Sequence, residues 1–367
     1  MDSNPQWRGI RTKDLMRSVN IMLVIAAFVL SAGITGLMRV YAQQSNLLDV
    51  PNQRSSHRVA TPRGGGISIV VVFLGVVTGL YFFGSLPTDV FSSFAVGGVL
   101  IAGIGFADDH SDIPAKWRFL VQIIAVTFAV TMLGGLPDIQ LGDKPVDLGI
   151  AGDATAIVFT VWLINLYNFM DGIDGIAAVE AFCIAGSAFV ILSIGDSGYI
   201  AALLVVFAAT AVGFLVWNWP PAKIFMGDVG SGFIGFVLAM FAIISSSMGL
   251  LPIWSWLILA GVFVVDSTIT LVTRVINGEE WYSAHNNHAY QKASRQLKGH
   301  LPVTLAVLVI NVLWLLPIAW FASAWPEFGW WLTIIAWMPL ISLALFLKAG
   351  RLEPGAKGGG RRRRSID

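Results

Sequence analysis

"NLYNFMDGIDGIAAVE" (165–180) lies between two apolar runs in a chain of 367 residues that is 56% hydrophobic and only 12% charged. Asn165, Asn168, Asp171 and Asp174 recur at every third position. A regular helix would spread them over half its circumference. Gly172 and Gly175 argue against a regular helix through the motif. A break there lets several side chains and main-chain amides meet one ligand. The plainer alternative is a helix–turn–helix connection, in which Asn, Asp and Gly are ordinary turn residues.

The flanking runs set the fold class. The chain has a mean hydropathy of +0.74 and 14 Trp, too apolar for a soluble domain, and apolar runs of about 20 residues are the signature of transmembrane helices. Eleven candidate spans are predicted at 19–38, 66–84, 91–107, 118–134, 154–168, 175–194, 198–217, 230–248, 253–273, 301–322 and 328–348. The class is therefore an all-α polytopic membrane protein. The run 19–38 is longer than a signal-peptide core and lacks a clear small-residue cleavage site, so it reads as a retained helix. The single cysteine, Cys183, cannot form an intrachain disulfide or a zinc cluster. The chain divides into an N-terminal segment (1–18), a transmembrane domain (19–348) and a basic tail (349–367) containing "RRRR" at 361–364.

Charge placement orients the spans. Lys144 is the one basic residue in the even-numbered connections, whereas the odd-numbered loops and the tail are rich in Lys and Arg. The positive-inside rule puts the latter in the cytoplasm. Arg8, Arg11, Lys13 and Arg17 disagree with that orientation and are outvoted by five loops. "DIQLGDKPVDLG" (138–149) reads as an outer-face hairpin turning at Gly142-Asp143.

Every dense polar cluster falls in the odd-numbered loops. Asp108 and Asp109 end the third span, and adjacent like charges are favoured when a cation or proton sits between them. Lys116, two helical turns on from Asp108, would share its face. In "FMGDVGSG" (225–232) Asp228 offers Mg²⁺ a hard oxygen. Gly227 and Gly230 permit close approach of a phosphate, and Phe225 is placed to stack on a base. A helix cap by Asp228 is the bland reading. His285 and His288 lack a zinc pattern and suit phosphate or pyrophosphate contact. "TPRGGG" (61–66), preceded by Arg58, is not a P-loop; tight helix packing or loose anion contact explains its glycines. Glu180 and Asp266 lie within or near spans, where ionisable groups are costly and tend to be functional.

Five pieces, "TPRGGG", "FADDHSDIPAKWR", "NLYNFMDGIDG", "NWPPAKIFMGDVGSG" and "HNNHAYQ", together resemble the polyprenyl-phosphate N-acetylhexosamine-1-phosphate transferases of glycosyl transferase family 4, in order and separation. The spacing around the histidines and "RSSHRVATPRGGG" are most similar to the branch that initiates O-antigen. The resemblance implies a cytoplasm-facing site in the bacterial inner membrane, Mg²⁺ or Mn²⁺, a UDP-N-acetylhexosamine donor and undecaprenyl phosphate as acceptor, with release of UMP. It implies catalytic roles for Asp108, Asp109, Asp171, Asp174, Lys116 and His288. Arg58, Asn168, Asn218, Phe225 and His285 would bind substrate, and Asp228 with Asn168 would hold the metal. A homodimer is implied as common in the family; nucleic acid is not a partner. The competing class is an ion- or proton-coupled transporter, which should carry its charges near the bilayer midplane.

Overall fold

The computed structural model describes residues 21–51, 59–142, 144–195, 198–279 and 286–351. Arg58, His285, Asp143, the N-terminal segment and the arginine-rich tail lie outside them. The described chain is a bundle of apolar helices: α1 (Ile21–Gln44), α2 (Ile67–Phe82), α3 (Thr88–Ser111), α4 (Ala115–Met132), α5 (Gly149–Met170), α6 (Ile176–Leu192), α7 (Gly198–Asn218), α8 (Asp228–Ser247), α9 (Ile253–Leu259), α10 (Gly261–Ile276), α11 (Ala289–Gln296), α12 (Leu301–Ala324) and α13 (Pro326–Phe346).

Each expected apolar run forms helix, but eleven spans are not established. Among the described residues eight helices are long and apolar enough to cross a membrane. The run expected as one span at 253–273 is instead two helices, α9 and α10, bent by 74° at Ala260. Helices α2 and α6 are apolar but shorter, at 16 and 17 residues. Hydropathy measures composition and is blind to a bend.

Helix α8 is the centre of the bundle: 94% of its apolar window is buried, against 22% for α1. A helix apolar on every side belongs inside, whereas one with a lipid-facing side does not need burial there. Phe233 and Phe241 of α8 meet Phe73 of α2, which also packs edge-on with Phe94 of α3 and Phe207 of α7 at 5.2–5.4 Å. Edge-to-face contact suits the aromatic quadrupole.

Lipid offers no hydrophobic drive between helices, so small residues and interhelical hydrogen bonds do the joining. Ser31 of α1 donates to the Thr210 carbonyl of α7 at 2.7 Å, and Trp217 returns a bond to Ala32 at 2.8 Å. Asn165, one of the polar residues in the opening stretch, donates to Gln122 of α4 at 2.8 Å. Glu180 of α6 accepts from Asn311 of α12 at 2.7 Å.

The helix break expected at the opening stretch is present: α5 ends at Met170 and α6 starts at Ile176. The hairpin is also present, with β3 (Ile139–Leu141) pairing β4 (Lys144–Val146) antiparallel. A second small ladder joins β1 (Leu48–Asp49) to β2 (Thr61–Pro62).

"TPRGGG" is a packing element. Gly65 donates to the Phe225 carbonyl (2.9 Å), Gly66 to that of Met226 (2.8 Å), and Phe225 to that of Pro62 (2.8 Å). A Cβ on Gly230 would lie 2.6 Å from the Gly66 Cα, so only glycines allow the two backbones to touch. Gly105 of α3 does the same against the Asp228 carbonyl, where a Cβ would sit 2.5 Å away. Gly105→Val is expected to cost about 1–3 kcal/mol by overpacking. Gly103→Val, whose Cβ meets nothing within 4 Å, should leave Tm unchanged. Thermal unfolding of both variants in detergent checks this, and equal Tm values would refute the close approach.

Candidate active site

The polar groups gather where helices end on the face opposite the β3–β4 hairpin. The C-terminal ends of α3, α5 and α7 meet the N-terminal ends of α6, α8 and α12 there. A cleft of about 220 Å³ lies among them. Its acidic lining is Asp49, Asp109, Asp171, Asp174 and Asp228; Arg63, His300, Asn168, Asn218, Phe225, Ser231 and Gln291 complete most of the rest. This clustering at helix ends, not midway along them, does not fit the midplane charges expected of a transporter.

Asp109 is 2% exposed. Its Oδ1 accepts from the Asp228 amide (3.0 Å) and its Oδ2 from the Val229 amide (3.1 Å). It thus caps α8 from another helix, satisfying amides that have no intrahelical partner and placing negative charge at the positive end of the helix. Gly227 makes room: a Cβ there would lie 2.6 Å from Asp109 Oδ2. Asp108 turns the other way. Its Oδ1 accepts from the Ile113 amide at 2.6 Å, and its Oδ2 pairs with Arg118. The two adjacent carboxylates therefore have different donors, while both lie near Asp228, Asp108 within hydrogen-bonding reach of it.

Arg118 Nη1 also reaches Asp228 Oδ2 at 3.1 Å. Lys116 does not join them. Helix α3 stops at Ser111, Asp112 is left-handed at φ 37°, and α4 restarts at Ala115. Lys116 and Arg118 then point about 200° apart around α4, and Lys116 lies exposed with its ammonium 5.5 Å from the Trp117 ring.

The loop 171–175 forms the opposite wall. Asp174 Oδ2 accepts from the Ala222 amide (3.1 Å) and lies 3.2 Å from His300 Nδ1. Thr304 of α12 donates to the Asp174 carbonyl at 2.9 Å. Asn218 brackets the loop, accepting from Gly175 N and donating to the Ile224 carbonyl, both at 2.9 Å. Asp171 lies beyond the end of α5. Burial pushes its carboxyl well above the usual carboxylate range, and the negative charges of Asp228, Asp109 and Asp174 push the same way.

His288 does not line the cleft. It is 3% exposed, with Nδ1 3.4 Å from Asp266 Oδ1. It caps α11 in a reciprocal arrangement with Gln291. Asp266 accepts from the Ala289 and Tyr290 amides, each at 2.9 Å, so this costly intramembrane carboxylate clamps the start of α11. That clamp brings Gln291 to the cleft and lets the Tyr290 hydroxyl donate to the Phe169 carbonyl at 2.9 Å. The expected phosphate contact by His288 is thus displaced: a helix start consumes it, and His300 is the imidazole at the cleft.

Asp49, Arg63, Arg118, His300 and Gln291 are groups at the site that sequence reasoning passed over. Arg63 and Arg118 stood inside quoted motifs, but nothing local showed which basic residue would face the acids. His300 closes the ninth loop twelve residues beyond His288 and carried no motif.

No three His, Cys, Asp or Glu side chains gather at metal-binding spacing among the described residues, so there is no all-protein cage. Asp228 and Asp171 interact electrostatically, and Asn168 lies within hydrogen-bonding reach of Asp228. Mg²⁺ characteristically takes one or two carboxylates and fills its octahedron with water and phosphate oxygens.

Comparisons with known proteins identify the family. Residues 91–246 match the family model described as glycosyl transferase family 4. The chain is 30% identical over 323 residues to the decaprenyl-phosphate N-acetylglucosaminephosphotransferase of Mycobacterium leprae, covering 77% of this chain and 79% of that one. It is 28% identical to the probable undecaprenyl-phosphate N-acetylglucosaminyl 1-phosphate transferase of Bacillus subtilis (81% and 84% covered). It is 29% identical to the phospho-N-acetylmuramoyl-pentapeptide-transferase of Kocuria rhizophila (80% and 90% covered). The chain belongs to glycosyl transferase family 4, and is a multi-pass membrane member of it.

Proposed function

We propose that this protein transfers N-acetylhexosamine-1-phosphate from a UDP-sugar to undecaprenyl or another polyprenyl phosphate, releasing UMP and initiating O-antigen or another envelope glycan. The observation that carries the reading is the acidic cleft at the helix ends, where Asp228, Asp171 and Asn168 face one space beside Phe225. Relatives named for N-acetylglucosamine make UDP-N-acetylglucosamine the first donor to test.

Asp228, Asp171 and Asn168 would hold Mg²⁺ or Mn²⁺, whose charge offsets the repulsion between two anionic substrates. Phe225 offers its ring to the uracil. Asn218, Thr304 and His300 hold the loop that carries Asp171 and Asp174. Asp109 sets the position of the Asp228 main chain. The lipid acceptor accounts for a site at the membrane face: its chain stays in the bilayer while its phosphate enters the cleft. Basic odd-numbered loops support a cytoplasmic face in the bacterial inner membrane. Arg58 and His285 remain proposed substrate contacts from the resemblance alone.

The test is Mg²⁺-dependent UMP release by the protein in nanodiscs supplied with UDP-N-acetylglucosamine and undecaprenyl phosphate. A panel of UDP-N-acetylhexosamines then fixes the sugar. Solute transport without UMP release with any donor would overturn the reading.

Metal affinity should depend on pH in a set direction. Asp171 holds its proton above the ordinary carboxylate range, and a cation must displace that proton. Affinity for Mn²⁺ is therefore expected to rise with pH and level off once Asp171 is ionised. Asp171→Asn should bind more weakly and lose most of that slope. Mn²⁺ titration followed by electron paramagnetic resonance reads both, and a slope unchanged in the variant would refute the assignment.

A further inference from the structure

We infer that Arg63 seats a phosphoryl group of the substrates in the cleft, an inference that rests on the proposed reaction. Five carboxylates line the cleft, and Arg63 is the one Lys or Arg among its described lining residues. Two substrates that each bring phosphate charge must enter that space. A divalent cation answers part of the repulsion, and a guanidinium is the side chain whose planar fork matches phosphate oxygens.

The arginine is held ready for this. Pro62 and Gly65, on either side of it, are both bonded to the main chain of Phe225, at 2.8 and 2.9 Å. Arg63 N itself donates to the Leu47 carbonyl at 3.2 Å. Its strand therefore cannot shift relative to the proposed uracil platform or to Asp228 three residues further on. At the other end of the side chain, Nη2 donates to the Asp109 carbonyl. That bond fixes the guanidinium against α3, near enough to the Asp109 carboxylate to interact with it electrostatically but with no side-chain ion pair among the described contacts. Nε is buried with no protein acceptor. The surrounding carboxylates favour the guanidinium's charge, and the Asp109 carboxylate interacts with it electrostatically, but the buried Nε–H remains a donor that an incoming phosphoryl oxygen can satisfy. Arg118 differs in that it is bonded directly to two carboxylates, Asp108 and Asp228. The glycines after Arg63 thus have a consequence beyond packing, since the tight backbone contact they permit is what positions the arginine.

The experiment compares wild type with Arg63→Gln and Arg63→Lys in nanodiscs, with Tm recorded for each. Direct binding of uridine, UMP and UDP is measured with Mg²⁺ present, together with KM for each substrate. If Arg63 seats the donor diphosphate, Arg63→Gln weakens UDP binding and raises the UDP-sugar KM by roughly 10- to 100-fold, with uridine binding unchanged. If it seats the acceptor phosphate, the polyprenyl phosphate KM rises by that factor and UDP binding holds. In either case Arg63→Lys recovers part of the loss, because it restores charge without the fork. Unchanged UDP binding and unchanged KM for both substrates would overturn the inference. So would equal weakening of uridine and UDP with a fallen Tm, which marks a purely structural arginine. Failure of the proposed function shows differently, as absence of UMP release in the wild type itself.

Discussion

Asp228→Asn is expected to lower UMP release on the order of 10²- to 10³-fold, the usual cost of removing one charge-stabilising group from a preorganised site, while Tm stays at or above the wild-type value. The side chain of Asp228 holds no main-chain amide. Its described contacts are Arg118, Asn168 and the Asp108 carboxyl, and the amides at the start of α8 belong to Asp109. Asparagine has the same shape, so packing is kept. Removing one of several mutually repelling carboxylates relieves strain in the cation-free protein. What is lost is the anionic oxygen proposed to bind the metal. Mn²⁺ titration should show weakened binding in step with activity. A variant keeping more than a tenth of wild-type turnover would remove Asp228 from the proposed metal set.

Asp109→Asn should behave differently, although both aspartates line one cleft. Each Asp109 oxygen accepts an amide of α8 inside the protein. Asparagine keeps one acceptor and turns an NH₂ toward the other N–H, leaving a buried donor unpaired at a cost of about 1–3 kcal/mol. The helix also loses its compensating charge, worth roughly 0.3–2 kcal/mol. We expect a clear fall in Tm and a loss of activity, because the Asp228 main chain moves with its anchor. Thermal unfolding separates the two ideas about this residue. An inactive Asp109→Asn protein with wild-type Tm would mean that Asp109 acts directly on substrate and is not a positioning residue.

The contrast between these aspartates shows where sequence reading reaches its limit. Asp108 and Asp109 are adjacent, and adjacency suggested one shared function. The end of α3 separates them: successive helical residues point about 100° apart, so Asp109 takes the first amides of α8 while Asp108 meets Arg118 of α4 and the Asp228 side chain. Lys116 was legible as a cation near the acids, but the left-handed Asp112 resets the register and brings Arg118 there. His288 was legible as a polar group next to the site, but a helix start consumed it, while His300 arrived from the next helix. In each case the residue type was correct for the chemistry and the direction of the side chain was not encoded locally.

Composition and spacing by themselves determined that this is a helical membrane protein, that its helix breaks at 171–175, that the hairpin over 138–149 forms, and that five loop motifs belong to one family. Those features follow from local physics: hydropathy, the conformational freedom of glycine and the turn preferences of Asn and Asp. Only the tertiary structure decided that the 253–273 run bends by 74°, which carboxylate caps α8, and which arginine lines the cleft. Those outcomes depend on backbone contacts between segments far apart in the chain, such as Gly66 against Gly230 and Gly105 against Asp228. No window of sequence contains both partners, and the close packing that joins them is what orients the site.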